Sequence, residues 1–144
     1  MGALTLLKPD LYGPAAADAG GNPAGPPVLH GGECRCGAVF FPLQPYGCEV
    51  CGRHGDDLRP RALAGRGALI AAAVVHIHQN RPGPGAPARQ APFVVGSIAL
   101  DDGPVVRTLL DAAEAPEPGA RMEARLVETG GETPTLDLRF APVA

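Results

Sequence analysis

The segments Gly32-Glu-Cys34-Arg-Cys36-Gly37 and Cys48-Glu-Val-Cys51-Gly52 contain every cysteine of the 144-residue chain. The two pairs are spaced C-x-C and C-x-x-C, with eleven residues between them. A glycine follows each pair and permits the tight turn whose backbone amides point at the sulfur atoms of a metal site. A unit of about 30 residues is too small to fold on its apolar core alone, so a bound metal is expected to hold it. The sequence therefore predicts a ribbon with one structural zinc ion bound by Cys34, Cys36, Cys48 and Cys51.

The alternatives for these four residues are free or redox-active thiols and an iron site of the rubredoxin type. Two adjacent pairs favour a metal over free thiols. Zinc is preferred to iron because a closed site of four cysteines without a redox partner is usually structural zinc. Such a site has no open coordination position, so the metal is not expected to be catalytic. His54, three residues after Cys51, is interpreted as a surface residue.

Short apolar runs separated by turn residues follow the cysteine region. This pattern predicts a mostly β chain, because each run is rich in Val, Ile or Leu and is bounded by Gly, Pro or Asp. Asp101-Asp-Gly103 predicts a hairpin between two of the runs. One or two helical turns over residues 109–115 are an alternative for that segment. Five short strands predict a small barrel, from residues 68–77, 93–100, 105–110, 122–127 and 136–140.

Composition divides the chain into three parts. Eight of the fifteen residues from Gly13 to Pro27 are Gly or Pro, and such a segment buries too little surface to offset its chain entropy. Residues 1–28 are therefore predicted to be a flexible Gly/Pro/Ala-rich tail. Residues 29–60 are assigned to the zinc ribbon, with 40–42 as a short strand, and residues 61–144 to the barrel domain.

The charge and hydropathy of the chain restrict its partners. The formal net charge is −3, from 12 basic and 15 acidic residues, so no broad positive field attracts a polyanion, and no nucleic acid partner is expected. The longest apolar stretch, residues 68–75, is far shorter than the roughly 20 residues of a membrane span. No secretory signal is recognisable at the start of the sequence. A cytoplasmic protein without a membrane partner is predicted.

Four further motifs add specificity, namely Phe40-Phe-Pro42, Gly65-Arg-Gly67, Ala91-Pro-Phe-Val-Val95 and Asp101-Asp-Gly-Pro104. The first of them lies between the two cysteine pairs and the other three follow the second pair. In this order, the motifs and the cysteine pairs resemble the zinc-ribbon OB-fold proteins associated with acyl-CoA enzymes. The resemblance covers roughly residues 29–140. It implies an N-terminal rubredoxin-like zinc ribbon followed by a five-stranded OB-fold barrel. The sequence departs from the family in two places. The first cysteine pair is C-x-C where the family has C-x-x-C, so Cys34 is the least secure of the expected ligands. The helix that precedes the ribbon in the family is not recognisable here.

The same resemblance implies a function. Family members accompany thiolases, hydratases or related enzymes and complete the CoA-binding region of their partner. We therefore expect a non-catalytic auxiliary subunit of a thiolase-type acyl-CoA acyltransferase complex, a heteromer whose catalytic residues belong to the partner chain. The alternatives are an auxiliary subunit of an acyl-CoA hydratase and a single-stranded nucleic-acid-binding zinc-ribbon OB protein. Arginine suits bidentate phosphate contacts, and the candidate contacts to CoA phosphates are Arg53, Arg59, Arg61 and Arg66. A solvated linker paired with Asp56 and Asp57 is the alternative for these arginines.

Overall fold

The computed structural model describes most of the chain as a β protein. Its described residues are 5–14, 16–17, 19, 23–24, 26–76, 92–130 and 133–143. Within these ranges the regular structure consists of strands and one short 3₁₀ turn, Gly55–Asp57. The predicted class, a mostly β chain with an N-terminal ribbon and a five-stranded barrel, is confirmed.

The N-terminal sheet is centred on one seven-residue strand. The strands of this half are β1 (Tyr12–Gly13), β2 (Ala16–Ala17), β3 (Pro23–Ala24), β4 (Val28–Cys34), β5 (Val39–Phe40) and β6 (Leu58–Ala64). Along its whole length β4 pairs antiparallel with β6, and on its other side it pairs with β1 and β5. The strands β2 and β3 pair separately with each other. The predicted boundary at residue 60 falls inside β6, which therefore leads directly from the ribbon to the barrel.

The second half is a closed barrel. Its strands are β7 (Arg66–Val75), β8 (Phe93–Leu100), β9 (Val105–Leu110), β10 (Arg121–Glu128) and β11 (Leu136–Pro142). They close in the order β7, β8, β9, β11, β10 and back to β7. Neighbours are antiparallel except β9 and β11, which pair parallel at Leu110 and Phe140. This closed five-stranded barrel corresponds to the OB fold.

The predicted strands agree closely with those of the barrel. Residues 93–100 and 105–110 match β8 and β9 at both ends, and the hairpin predicted at Asp101-Asp-Gly103 joins them. The alternative of helical turns over 109–115 is wrong, because Leu110 is buried in the barrel and pairs with Val94, so residues 109–110 continue β9. The end of the first predicted run at residue 77 and the following turn signals at 81–87 lie outside the described residues.

One apolar core joins the two halves. Phe140, Ile98 and Met122 are completely buried inside the barrel, and Leu63 of β6 belongs to the same cluster. Tyr12, within the segment expected to be a tail, is also part of it and is only 4% exposed. The described part of that segment pairs with the sheet at β1, and Leu6 bridges to Leu136 of β11. Burial of these few apolar side chains gives this segment contacts that the surrounding Gly and Pro do not predict.

The Gly65-Arg-Gly67 motif spans the end of the connection from β6 and the start of β7. A Cβ atom on Gly67 would stand 2.3 Å from the carbonyl oxygen of Ala99, and one on Gly65 would stand 2.6 Å from the Cβ of Ala124. Both distances are too short for any side chain. Both positions therefore require glycine, because the backbone is in close contact with its neighbours at the entry to the barrel.

Candidate metal centre

The first cysteine pair lies on a tight turn at the end of β4. The amide of Gly37 donates to the carbonyl oxygen of Cys34 at 2.8 Å, and the amide of Cys34 donates to that of Ala38 at 2.8 Å. Gly37 has φ of +99°, with open space where a side chain would stand. Its backbone conformation, and not lack of room, explains the glycine after Cys36.

The second pair lies on a similar turn. The amide of Gly52 donates to the carbonyl oxygen of Cys48 at 2.9 Å, and Gly52 has φ of +78°. The amide of Val50 points at the sulfur of Cys48, with an N–Sγ distance of 3.4 Å. Amides that point at sulfur stabilise a thiolate, as a metal ligand requires.

The two turns bring all four sulfur atoms together. They lie within 4.8 Å of one another. The distance from Cys34 Sγ to Cys51 Sγ is 3.5 Å, and that from Cys36 Sγ to Cys48 Sγ is 3.7 Å. A tetrahedral zinc ion with Zn–S bonds of about 2.3 Å requires S···S distances of about 3.8 Å. The sulfur cluster therefore fits one tetrahedral metal ion, and Cys34 takes its place in it despite the shorter C-x-C spacing.

The electrostatics of the cluster favour a bound cation. The backbone amides of Cys51 and Val50 lower the pKa of Cys48 to about 6. The amide of Cys36 lowers the pKa of Cys34, but burial and the thiols of Cys51, Cys36 and Cys48 outweigh it and raise that pKa to about 12. Four thiolates this close repel one another unless a cation neutralises them.

Burial divides the four ligands into two kinds. Cys34 and Cys48 are buried and pack with Leu58, whereas Cys36 and Cys51 are exposed. Phe40 packs against the same small cluster from β5. So few apolar contacts give little stability, which agrees with a ribbon that needs its metal.

The structure places the predicted arginines on different elements. Arg53, Arg59 and Arg66 are exposed, in the ribbon loop, on β6 and at the start of β7. Arg61 instead pairs with two carboxylates. Its Nη2 lies 3.2 Å from Asp102 Oδ1, and its Nη1 lies 3.6 Å from Glu33 Oε1.

The turn between β8 and β9 anchors other parts of the fold, a role that the hairpin prediction did not include. The second carboxylate oxygen of Asp102 accepts a hydrogen bond from the amide of Ala64 at 2.8 Å. Asp101 accepts two hydrogen bonds from Arg121 of β10, at 2.9 and 2.6 Å. The Arg121 guanidinium, through these hydrogen bonds, lowers the pKa of Asp101. The sequence signals this anchoring role only by its two consecutive aspartates, because a turn needs one of them.

Sequence reasoning also missed a polar cluster around Tyr12. Its hydroxyl lies 3.1 Å from both the carbonyl oxygen of Leu136 and Asp137 Oδ1, and it accepts a hydrogen bond from the amide of Lys8 at 3.2 Å. Burial, and then the negative charge of Asp137, raise the pKa of Tyr12 to about 12. The hydroxyl therefore remains a neutral donor that fixes the N-terminal segment to β11.

Within the described ranges, no helix has the length and hydropathy that a membrane span requires.

Comparisons with known proteins agree with this architecture. Residues 60–127 match the family model described as the ChsH2 C-terminal OB-fold domain. The chain is 29% identical over 99 residues to a DUF35 domain-containing scaffold protein of Pyrococcus furiosus, an alignment covering 69% of this chain and 67% of the relative. It also resembles a chain of the solved Ltp2-ChsH2(DUF35) aldolase, with a TM-score of 0.57 and 26% identity over 81% of this chain and 86% of that one.

Proposed function

Since this chain belongs to the OB-fold DUF35 family, we propose that it is a non-catalytic auxiliary subunit of an enzyme complex acting on CoA thioesters. The observation that carries the proposal is its likeness to a scaffold protein and to a chain of a two-component aldolase, over most of its length. The structure adds support because, among the residues that it describes, the cluster of metal-ligating side chains is the four-cysteine group, a closed site suited to holding a fold.

The catalytic partner that we propose is a thiolase-like subunit, an acyl-CoA C-acyltransferase, in a hetero-oligomer. This choice rests on the resemblance to the zinc-ribbon OB-fold family, whose members accompany thiolases. An aldolase is the second candidate, because the similar solved structure is described as an aldolase. An acyl-CoA hydratase is the third.

The metal that we propose is one zinc ion held by Cys34, Cys36, Cys48 and Cys51. When bound, it neutralises the thiolates and fixes the two turns of the ribbon. The chain's own residues supply the rest of the site: backbone amides point at Cys48, and Leu58 covers the buried pair. Its contribution to the complex is structural, through the ribbon.

Contact with the phosphates of CoA is proposed for Arg53, Arg59 and Arg66, which are exposed residues. Arg61 has a different part in this proposal, because its guanidinium pairs with Asp102 and Glu33. It positions β6, and therefore Arg59, beside the barrel. CoA bound at the shared site would meet arginines from both the ribbon and the start of the barrel.

Single-stranded nucleic acid is a weaker alternative. An OB barrel that binds single strands uses aromatic side chains for stacking and a positively charged groove. The outward positions of β8 and β9 carry one aromatic side chain, Phe93, and one cation, Arg107, which is fewer than a stacking groove uses. The net charge of −3 opposes binding to a polyanion as well.

The test is a gentle affinity purification of the tagged chain from its native cells, with mass spectrometry and a metal assay on the same sample. We expect one acyl-CoA enzyme subunit in a fixed ratio and about one zinc per chain. The purified complex is then assayed for thiolysis, aldol cleavage and hydration of acyl-CoA substrates, which separates the three partners. Recovery of the zinc protein alone, or with RNA, would overturn the proposal.

A further inference from the structure

The two sides of the barrel differ in the chemistry of their outer surfaces. On β10 the outward positions include Arg121, Glu123 and Arg125, which alternate with buried Met122 and Ala124. This is the ordinary pattern for an antiparallel sheet with one face in water. The sheet formed by β7, β8 and β9 does not follow it.

The outward residues of β7, β8 and β9 form what we term the outer apolar face. Strand pairing places Ala73 beside Val95 and Val95 beside Leu109, and two rows further along Ala99 beside Val105. Between these rows lie Ala71, Ser97 and Arg107. The six residues that define the face are Ala71, Ala73, Val95, Ala99, Val105 and Leu109.

These side chains are not part of the barrel core. The alternate residues Val94, Ile98 and Val106 point inward and are buried. None of the six face residues is in the core cluster or packs against it. Val105 is 60% exposed, and Ile70, next to Ala71 at the irregularity in β7, is 49% exposed. Ala71 and Ala73 are exposed as well, whereas Val95, Ala99 and Leu109 are half-buried. A largely apolar outer surface of this kind, with Ser97 and Arg107 in its middle row, marks an interaction site.

Arg107 limits what can cover this face. It is exposed, and it has no ion pair among the described residues. The face itself contains no acidic residue, and the nearby Asp101 and Asp102 already pair with Arg121 and Arg61. If a second copy of this chain packed face to face, both arginines would be buried without a counter-charge, at substantial cost. A different chain with an apolar surface around one carboxylate avoids that cost.

We infer that the outer apolar face is the docking surface for the catalytic partner, and that Arg107 pairs there with an Asp or Glu of that partner. The inference rests on the proposed function and adds the surface by which the complex forms. The strands that present the face are held in the closed barrel, so the surface is rigid before binding and little ordering entropy is lost on association. Apolar area then supplies affinity, and the single ion pair supplies orientation.

The test compares two Val→Glu variants of similar exposure in the complex with the catalytic subunit that co-purifies with the wild-type chain. Val105→Glu is on the face, whereas Val143→Glu, at 51% exposure, follows β11. We expect Val105→Glu to raise the Kd for that subunit by about 100-fold, because it buries an unpaired charge. Arg107→Glu has a similar effect and Val143→Glu a small one. Zinc content and thermal unfolding of each variant confirm that the chain is folded.

A photo-crosslinking residue gives a second measurement that does not depend on destabilising the interface. Placed at position 105 it should link to the catalytic subunit, and placed at position 143 it should not. Equal binding by all variants, with no link from position 105, overturns the inference while the proposed function stands. If Val105→Glu lowers the native molar mass of the isolated protein in solution while the complex stays intact, the face is an interface between two copies of this chain. That result also overturns the inference. If the wild-type chain binds no acyl-CoA enzyme, both proposals fail.

Discussion

Arg61 and Asp102 form an ion pair between β6 and the turn that joins β8 to β9, with an Nη2–Oδ1 distance of 3.2 Å. Asp102 also accepts a hydrogen bond from the amide of Ala64, so one carboxylate joins the strand that leaves the ribbon to the barrel. The side chains are partly buried, 35% exposed for Arg61 and 24% for Asp102. This contact assigns Arg61 a structural part that its sequence neighbours Arg59 and Arg66 do not share.

The first prediction concerns this ion pair. Arg61→Ala should lower the free energy of unfolding by about 1 kcal/mol, and Asp102→Ala by about 2 kcal/mol because it also removes the acceptor of the Ala64 amide. In the double variant the effects should be less than additive. Arg59→Ala, an exposed arginine of the same strand, is the control and should change stability by less than about 0.5 kcal/mol. Urea unfolding of the wild type and these four variants measures the differences, and additive losses would mean that the pair contributes nothing as a pair.

The second prediction concerns the metal ligands. Cys48→Ser should abolish stoichiometric zinc binding and unfold the ribbon, because the buried cluster around Cys34 and Leu58 is too small to persist without the metal. The matched control is His54→Ala, an exposed residue three positions after Cys51, which should keep about one zinc per chain. Zinc analysis and hydrogen exchange measure both effects. Amide protection in β4 and β6 near the cysteines should be lost while that of β8 is kept, and full protection in Cys48→Ser would contradict the prediction.

The third prediction uses two glycines of the ribbon with equally open surroundings. A Cβ atom at Gly52 or at Gly47 would meet nothing within 4 Å, but only Gly52 has a positive φ, +78°. Gly52→Ala should therefore cost about 1–2 kcal/mol through backbone strain and weaken zinc binding. Gly47→Ala should be neutral or slightly stabilising. Zinc competition with a chromogenic chelator measures the difference, and equal affinities in the two variants would show that the turn tolerates a side chain.

The fourth prediction concerns alkaline stability. The pKa of Tyr12 is about 12 in the folded chain and about 10 when unfolded, so between these values only the folded state retains the proton. Stability should therefore fall as pH rises from about 10 to about 12, while this contribution is constant below pH 10. Tyr12→Phe should lower stability at neutral pH by about 1 kcal/mol and remove this part of the pH dependence. Urea unfolding at pH 8, 10 and 11 compares the two chains, and parallel curves would exclude Tyr12 as the titrating group.

Much of the architecture could be predicted from local patterns. Residues 93–100 and 105–110 formed strands with the expected ends, and the hairpin between them was predicted from Asp101-Asp-Gly103. The resemblance to the zinc-ribbon OB-fold family is confirmed by the matches to an OB-fold model and a DUF35 scaffold protein. Helical turns over 109–115 were wrong because burial of Leu110 outweighed local preference.

The spacing of four cysteines and their following glycines was sufficient to identify the ribbon, because a metal site imposes ligand number and turn geometry within a few residues of the chain. Strand alternation similarly identified the barrel, because the period of two is a local property of the backbone. Tertiary contacts decided the rest. Tyr12 is buried against Asp137, 125 positions along the chain, and the partly exposed Arg61 pairs with Asp102. Pairings at such separations depend on how the halves pack, and no local pattern records which polar side chains that packing brings together.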